Sequence, residues 1–214
     1  ALEQYRLRQS VEEEKRRREE LSCRLSPNVV ERVLAGKAEL GSKEVEITVL
    51  FADMVGFTSM SEKHEPRQVV ELLNDLFDAL TDEVFRQDGT LDKYIGDALI
   101  AFFGAPEEQT DHPQRALRAG LAMQKRLKQL AELHPDWPPL SMRIGINSGM
   151  AVVGDIGSKQ RRDYTVIGDT VNVASRLESQ IAHAGEVVIG PLTAERCSRN
   201  RQTKAQCARI SGTR

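Results

Sequence analysis

Two aspartates, Asp53 and Asp97, are the side chains of this sequence best suited to hold metal ions. Asp53 follows an apolar run over residues 47–52, and Asp97 lies beside Gly96 between two other apolar segments. Carboxylates on adjacent strand ends are the hard oxygen ligands that a pair of Mg²⁺ or Mn²⁺ ions needs to hold a nucleoside triphosphate. Either residue alone is more simply explained as the cap of a turn or helix, but the pair in these surroundings favours metal binding.

The segment after Asp53 predicts a phosphate-binding loop formed by Val55, Gly56, Phe57 and Thr58. Glycine permits a tight turn, and the short helix expected to begin at Phe57 would direct its first backbone amides outward. A helix N-terminus beside metal-binding carboxylates suits a triphosphate.

A second group of polar residues lies in the segment 164–176. Asn172 and Arg176 stand one helical turn apart on a predicted helix, so their side chains share one face. Arg176 can direct a fork of donors at a phosphate, and Asn172 can hydrogen-bond a sugar. A solvent-facing polar stripe is the commoner explanation of any one such pair, and the spacing leaves both explanations open.

The pattern that must position these residues alternates between strands and helices in the order β-α-β-β-α-β. Strands are indicated by β-branched apolar runs, and helices by apolar residues at helical spacing. This order predicts an α+β fold of the ferredoxin-like, split βαβ type, with an antiparallel sheet and helices on one of its faces. The predicted elements are a strand over 45–52, a helix from Pro66, a hairpin of 90–95 and 98–103, a helix after Asp111 and a strand over 142–147.

Extra strands and helices are predicted to follow this core. A turn at Ser148-Gly149 is expected to separate the strand over 142–147 from another strand over 151–155. The remaining predicted elements are a short strand over 164–167, a helix over 170–181 and a strand over 186–189.

The two ends of the chain differ from its middle. Residues 1–25 are charged, and core-type positions recur there at alternating heptad spacings, which predicts a coiled coil; a single solvated helix is the alternative. The heptad positions are Leu7, Val11, Glu14, Arg18, Leu21 and Leu25. We therefore divide the chain into a helical coiled-coil and linker segment (1–36), a main domain (37–197) and a basic, poorly ordered tail (198–214).

The composition predicts a soluble globular protein. The 214 residues are 40% hydrophobic and 29% charged with a net charge of −2, which gives no general attraction to nucleic acid or to an anionic membrane. No apolar run reaches the roughly 18 residues of a membrane span, and no signal-peptide core is evident. Scattered thiols at Cys23, Cys197 and Cys207 favour a reducing compartment, so we expect a cytoplasmic location, including the cytoplasmic part of a larger, membrane-bound protein. The histidines, among them His112, are read as surface or loop residues.

Three segments, residues 51–58, 93–97 and 165–176, resemble the class III nucleotidyl cyclase catalytic domain, and the likeness extends over about residues 44–195. The resemblance implies that the main domain, 37–197, is catalytic. It also implies the reaction, in which the ribose 3′-hydroxyl attacks the α-phosphorus and pyrophosphate leaves. Because no covalent enzyme intermediate forms, catalysis consists of positioning and charge neutralisation.

The same resemblance assigns roles to the residues singled out above. Asp53 and Asp97 match the metal-binding aspartates of the family, and the backbone carbonyl of Met54 joins them in binding two divalent cations per site, Mg²⁺ or Mn²⁺. Asn172 and Arg176 match the pair that orients the ribose and stabilises the pentavalent α-phosphate.

Lys93 and Thr165 match the pair that reads the purine in that family. Adenine N1 can accept a hydrogen bond from lysine, and the N6 amine can donate one to a threonine hydroxyl, whereas guanylyl members usually carry glutamate in place of Lys93. The pair therefore predicts ATP as substrate and cyclic AMP as product. Most adenylyl members have aspartate at the position of Thr165; threonine resembles the branch that includes bicarbonate-responsive enzymes, so stimulation by bicarbonate is a hypothesis.

The family resemblance also implies the assembly. Metal aspartates of one subunit face the purine and Asn-Arg residues of the other, which implies a head-to-tail homodimer with two equivalent sites. The N-terminal heptads would hold two chains parallel and transmit a signal from an upstream sensor domain outside this chain. The expected partners are thus ATP and a second copy, with no nucleic acid and no membrane segment.

The end of the sequence departs from the family pattern. Members normally continue with a strand pair whose lysine, in a Lys-Gly-Lys context, contacts the β- and γ-phosphates; residues 197–214 do not match, and Lys204 is a poor substitute. This leaves two alternatives open, a non-catalytic nucleotide-binding dimerisation and signalling module and a guanylyl cyclase with unusual base contacts. A diguanylate cyclase does not fit, because residues 94–98 lack a Gly-Gly-Asp-Glu-Phe-like turn.

Overall fold

The computed structural model describes residues 2–22, 27–36, 41–134, 137, 139–158 and 162–198. The strands are β1 (Lys43–Met54), β2 (Thr90–Ile95), β3 (Ala98–Phe103), β4 (Met142–Gly157), β5 (Arg162–Ile167) and β6 (Val187–Ile189). The helices are α1 (Leu2–Ser22), α2 (Pro27–Leu34), α3 (Phe57–Ser61), α4 (Pro66–Phe85), α5 (His112–Leu133), α6 (Asp169–Arg176), a π-helical turn (Leu177–Ile181) and α7 (Pro191–Ser198). Among these helices, none combines the length and the apolar character needed to cross a membrane.

The six strands of the described residues form a single sheet. Its strands lie in the order β2-β3-β1-β4-β5, all antiparallel to their neighbours, and β6 joins the outer edge of β4 in parallel. Along the chain, α4 follows β1 and α5 follows β3, which gives the predicted order β-α-β-β-α-β. The predicted ferredoxin-like α+β fold is therefore confirmed.

The main core lies between the sheet and the pair α4 and α5. Leu76 and Leu80 of α4 and Leu117 of α5 are fully buried together with Leu50 and Ile144 of the sheet. The apolar residues of α4 recur at helical spacing, so they form one face of the helix that is buried against the sheet, while the polar face is exposed to solvent.

The prediction that helices cover one face of the sheet is wrong. Strand β1 is apolar on both sides, and its residues Ile47 and Val49 point away from α4 and α5. Val29 of α2 and Ala174 of α6 pack into this second core. A strand that is apolar on both faces needs cover on both, and α2 and α6 supply it.

The predicted turn at Ser148-Gly149 is also wrong, because β4 continues unbroken through it. Gly149 pairs with Ile47 in the long β1–β4 ladder. A β-carbon placed on Gly149 would lie 2.7 Å from the Thr170 hydroxyl, so the glycine allows α6 to approach the strand.

His112 is buried instead of lying on the surface. Its Nδ1 is 2.7 Å from the Thr48 hydroxyl, and only 5% of the residue is exposed. Burial, assisted by the charge of Arg196, lowers the pKa of His112 to about 4. The histidine that begins α5 is therefore a neutral part of the core at physiological pH.

At the N-terminus, α1 is joined to α2 by an exposed hydrogen bond of 3.2 Å from Arg18 to Glu31. Val11, a predicted heptad position, is 59% exposed. The coiled coil stays a prediction, since it needs a second chain. The heptad residue Leu25 and residues 199–214 of the predicted tail, including Lys204, lie outside the described residues.

Candidate active site

The two aspartates expected to bind metal come together at one end of the sheet. Asp53 lies next to the end of β1, and Asp97 lies in the turn between β2 and β3, whose second strand pairs with β1. Burial raises the pKa of the Asp97 carboxyl, and the negative charge of Asp53 raises it further. The two carboxylates are therefore close enough to repel each other.

Two further charged residues complete this cluster, and sequence reasoning missed both. Arg143 of β4 lies opposite Asp53 in the strand register and donates a short hydrogen bond to its carboxylate. The same guanidinium lies 3.2 Å from Oε1 of Glu178 in the π-helical turn. The side chain of Glu178 is 8% exposed, and burial followed by the charge of Asp53 raises its pKa. We call Asp53, Asp97, Arg143 and Glu178 the metal half-site.

A glycine explains how Glu178 reaches this cluster. A β-carbon placed on Gly145 of β4 would lie 2.4 Å from the Ala174 carbonyl and 2.4 Å from the Glu178 amide. Only a residue without a side chain lets the backbone of α6 and the π-helical turn rest directly on the strand. An arginine inside the apolar strand over 142–146 was the one sequence signal for the cluster.

The donor set of the metal half-site fits Mg²⁺ or Mn²⁺. These ions prefer oxygen ligands and are commonly bound by one or two carboxylates together with substrate phosphates. Three carboxylates share one guanidinium here, so the cluster carries excess negative charge. Within the described ranges, no group of three or more His, Cys, Asp or Glu side chains surrounds a common ion position. Phosphate oxygens would therefore have to complete the coordination.

The loop after β1 has the geometry expected of a tight turn. Gly56 has a φ of 75°, a left-handed conformation that favours glycine, and α3 begins at the next residue. The Val55 amide donates to the Ser141 carbonyl at 2.8 Å, which fastens the loop to the start of β4. Phosphate contacts from this loop would therefore come from the amides of Gly56, Phe57 and Thr58, the last two of which open α3.

The residues expected to read the purine also come together. Lys93 of β2 donates a hydrogen bond of 3.1 Å to the Thr165 hydroxyl of β5. The Thr165 hydroxyl in turn donates to Asp92 Oδ2 at 3.0 Å, and Asp92 Oδ1 lies 3.4 Å from the Lys93 ammonium. Burial raises the pKa of Asp92, against the opposing effect of Lys93 and Thr165. Asp92 was not predicted; we call Asp92, Lys93 and Thr165 the purine half-site.

Asn172 and Arg176 lie on α6, as expected, one turn apart and both exposed. The opposite side of the helix holds it on the sheet, because Ala174 is fully buried and the Thr170 hydroxyl donates to the Met150 carbonyl at 2.7 Å. The Asn-Arg face is therefore presented to solvent by a firmly packed helix.

Sequence comparison identifies the family. The family model described as the adenylate and guanylate cyclase catalytic domain matches residues 41–211. Adenylate cyclase 1 of Rhizobium meliloti is 40% identical over 146 residues, covering 67% of this chain and 22% of that protein. The receptor-type guanylate cyclase gcy-28 of Caenorhabditis elegans is 36% identical over 185 residues, covering 83% of this chain and 14% of that protein. The chain thus spans less than a quarter of the length of these relatives.

Solved structures agree with this similarity. The adenylyl cyclase CyaB from P. aeruginosa matches with a TM-score of 0.72 and 37% identity, over 75% of this chain and 84% of that one. A dimeric guanylyl cyclase domain of the RhoGC fusion protein from Blastocladiella emersonii matches with a TM-score of 0.69 and 29% identity, over 75% of this chain and 88% of that one. Adenylyl and guanylyl cyclases therefore both occur among the similar proteins.

Proposed function

Since the chain belongs to the family of adenylate and guanylate cyclase catalytic domains, we propose that it is an adenylyl cyclase that converts ATP to 3′,5′-cyclic AMP and pyrophosphate. The observation that carries this proposal is the arrangement of Lys93 and Thr165, held 3.1 Å apart as a donor and an acceptor for one base. Lysine offers a hydrogen to adenine N1, and the threonine oxygen can accept one from the N6 amine.

In the proposed reaction, the ribose 3′-oxygen forms a bond to the α-phosphorus while the bond from that phosphorus to the bridging oxygen of pyrophosphate breaks. The hydroxyl proton passes to water. Divalent cations bound to the Asp53 and Asp97 carboxylates and the Met54 carbonyl would lower the pKa of the hydroxyl and offset phosphate charge. Arg143 holds the Asp53 carboxylate in place through its short hydrogen bond.

The remaining groups position the substrate. The amides of the loop at Gly56, Phe57 and Thr58 would hold phosphate oxygens. Arg176 would stabilise the charge on the pentavalent α-phosphate, and Asn172 would orient the ribose. The contacts to the phosphates and the ribose would hold the 3′-oxygen in line with the bond that breaks, and the charge of Arg176 would lower the energy of the transition state.

We propose a head-to-tail homodimer, in which the metal half-site of one chain and the purine half-site of the other form one active site. Large apolar side chains near the half-sites are exposed in the single chain, including Tyr94 (42%), Ile95 (57%) and Ile167 (55%). A second copy would bury them, and α1 would hold the two chains parallel below an upstream sensor. The cytoplasmic location remains a prediction from the scattered thiols.

The first test is an assay of the purified chain with ATP and, separately, GTP, in Mg²⁺ and in Mn²⁺, over a dilution series. We expect cyclic AMP, with a specific activity that rises with protein concentration because the active site needs two chains. Cyclic GMP alone would favour the guanylyl alternative that the Caenorhabditis elegans relative represents. No product from either nucleotide would indicate a binding module.

A complementation experiment tests the shared site directly. Asp97→Asn and Arg176→Ala should each be inactive alone, because every site of each homodimer lacks one residue. Mixed dimers contain one site with both residues intact, so an equal mixture should recover about one quarter of the wild-type activity. An inactive mixture, with chain exchange verified by differently tagged copies, would contradict the composite site.

A further inference from the structure

A bulge in β2 directs two consecutive side chains of the purine half-site to the same neighbour. Leu91 pairs with Ala101 and Lys93 pairs with Ile100, so Asp92 is the additional residue of the strand. Consecutive residues of a regular strand point to opposite faces, but a bulge re-aims them. Asp92 and Lys93 consequently both hydrogen-bond to Thr165 of β5, and they form an ion pair with each other.

The directions of the hydrogen bonds in this triad are fixed by chemistry. The side chain of Asp92 is 4% exposed and lies 3.4 Å from the Lys93 ammonium, which favours its ionised form. A carboxylate only accepts hydrogen bonds and an ammonium only donates them. The single hydrogen of the Thr165 hydroxyl must therefore point to Asp92 at 3.0 Å, while one of its lone pairs accepts from Lys93 at 3.1 Å.

We propose that Asp92 is a positioning residue that fixes the Thr165 hydroxyl as an acceptor toward the purine and thereby favours adenine over guanine. The inference rests on the proposed function, since it explains the base preference of the same site. With its hydrogen committed to Asp92, Thr165 can offer the base only its remaining lone pair. The N6 amine of adenine matches that lone pair, whereas O6 of guanine, itself an acceptor, is opposed by it.

A second observation supports a functional reason for Asp92. Its Oδ1 atom is buried, and among the described residues its one partner is the Lys93 ammonium, at 3.4 Å and outside hydrogen-bond geometry. A buried carboxylate oxygen without a well-formed hydrogen bond contributes little to stability, which favours an explanation other than folding. Orientation of the Thr165 hydroxyl by the other oxygen of the same carboxylate provides one.

The test is the ratio of kcat/KM for ATP to kcat/KM for GTP in Asp92→Leu. Freed from Asp92, the Thr165 hydroxyl can rotate and donate to O6, so we expect the ratio to fall about 10-fold or more. The ratio does not depend on the fraction of folded enzyme, so partial unfolding leaves it readable. Asp92→Asn is the second variant; its NH2 group must face either the Lys93 ammonium, which repels it, or the Thr165 hydroxyl, whose direction it would reverse, so the ratio should fall there too.

A double-mutant cycle shows whether the effect passes through the Thr165 hydroxyl. In the Thr165→Val background, Asp92→Leu should leave the ratio unchanged, because no hydroxyl remains to be oriented. Asp163→Asn is the matched control, since Asp163 acts on Asp92 only as a nearby charge. It should leave the ratio at the wild-type value.

The experiments distinguish a wrong role for Asp92 from a wrong assignment of the protein as an adenylyl cyclase. If Asp92→Leu lowers both kcat/KM values equally, or shifts the ratio as much in the Thr165→Val background, Asp92 has only a structural role. If the wild-type chain turns over neither nucleotide, the ratio of its affinities for 3′-deoxy-ATP and 3′-deoxy-GTP is measured in place of the ratio of kcat/KM values. A wild-type preference for guanine in either measurement would overturn both proposals.

Discussion

The metal half-site and the purine half-site lie in the same chain but differ in charge balance: the first has excess negative charge, and the second has one negative and one positive side chain. In the metal half-site, the carboxylates of Asp53, Asp97 and Glu178 share the single guanidinium of Arg143. The pKa values of Asp97 and Glu178 are raised by burial and by the charge of Asp53. The negative charges of this cluster repel one another, so we expect it to gain stability when cations bind.

In the purine half-site, one carboxylate is matched by one ammonium. Asp92 is buried, but Lys93 and Thr165 both lower its pKa against the effect of burial. The three side chains hold one another at 3.0 to 3.4 Å without any ligand. Under the proposed function, the comparison shows that the site for ions leaves negative charge for cations to neutralise, whereas the site for a neutral base is already held in place by hydrogen bonds.

The largest effect is expected from Asp97→Asn on catalysis. Asparagine keeps the shape of the side chain but removes the charge that holds a cation, and the loss of several kcal/mol of transition-state stabilisation corresponds to a fall of about 10³-fold in turnover. Cyclic AMP formation at saturating ATP measures it. Asp82→Asn, an exposed aspartate on α4, is the control and should stay fully active. Comparable activity in both variants would refute the metal half-site.

The sequence predicted the parts of the site that depend on neighbouring elements. The hairpin of 90–95 and 98–103 agrees residue for residue with β2 and β3, because a Gly-Asp turn separates two clear β patterns. Asp53 and Asp97 were expected together because Asp53 is next to the end of β1 and Asp97 directly precedes β3, the strand that pairs with β1. Local patterns and the order of elements carry this information.

The parts that could not be predicted depend on contacts between distant segments. Glu178 joins Arg143 because Gly145 lets two backbones touch, and no local pattern shows this. Asp92 was missed since the period of two in a regular strand would point it away from Lys93, and the bulge reverses that. Tertiary packing, rather than residue type, decides both positions.

A smaller effect is expected from Thr165→Val on stability. Valine fits the space but cannot bond Asp92 or Lys93, so a buried carboxylate loses its closest partner, at a cost of about 1–3 kcal/mol in the free energy of unfolding. Urea denaturation in the absence of nucleotide measures it. Thr110→Val, at an exposed threonine, should change stability by much less. Equal stability of the two variants would mean that the hydrogen bonds of the purine half-site are not preorganised.

The smallest expected effect is a gain in stability when Asp97→Asn removes a negative charge from the metal half-site. This effect tests the difference in charge balance between the two half-sites directly. The folded protein raises the pKa of Asp97, so it binds this proton more tightly than the unfolded chain does. Stability without metal should therefore rise as the pH falls from neutrality through the raised pKa toward the ordinary carboxyl value. Asp97→Asn removes that titration, which should flatten the profile and raise stability at neutral pH.

Asp97 is only partly buried and solvent screens its charge, so the gain at neutral pH should be only roughly a few tenths of a kcal/mol. Urea denaturation in a chelator, repeated from acid to neutral pH, measures it, with Asp82→Asn as the control expected to follow the wild-type profile. Added Mg²⁺ with nucleotide should reverse the order, because only the wild-type protein gains stability from bound cations. A variant less stable than the wild type in the chelator would show that Asp97 is already balanced by Arg143, and the contrast between the two half-sites would be lost.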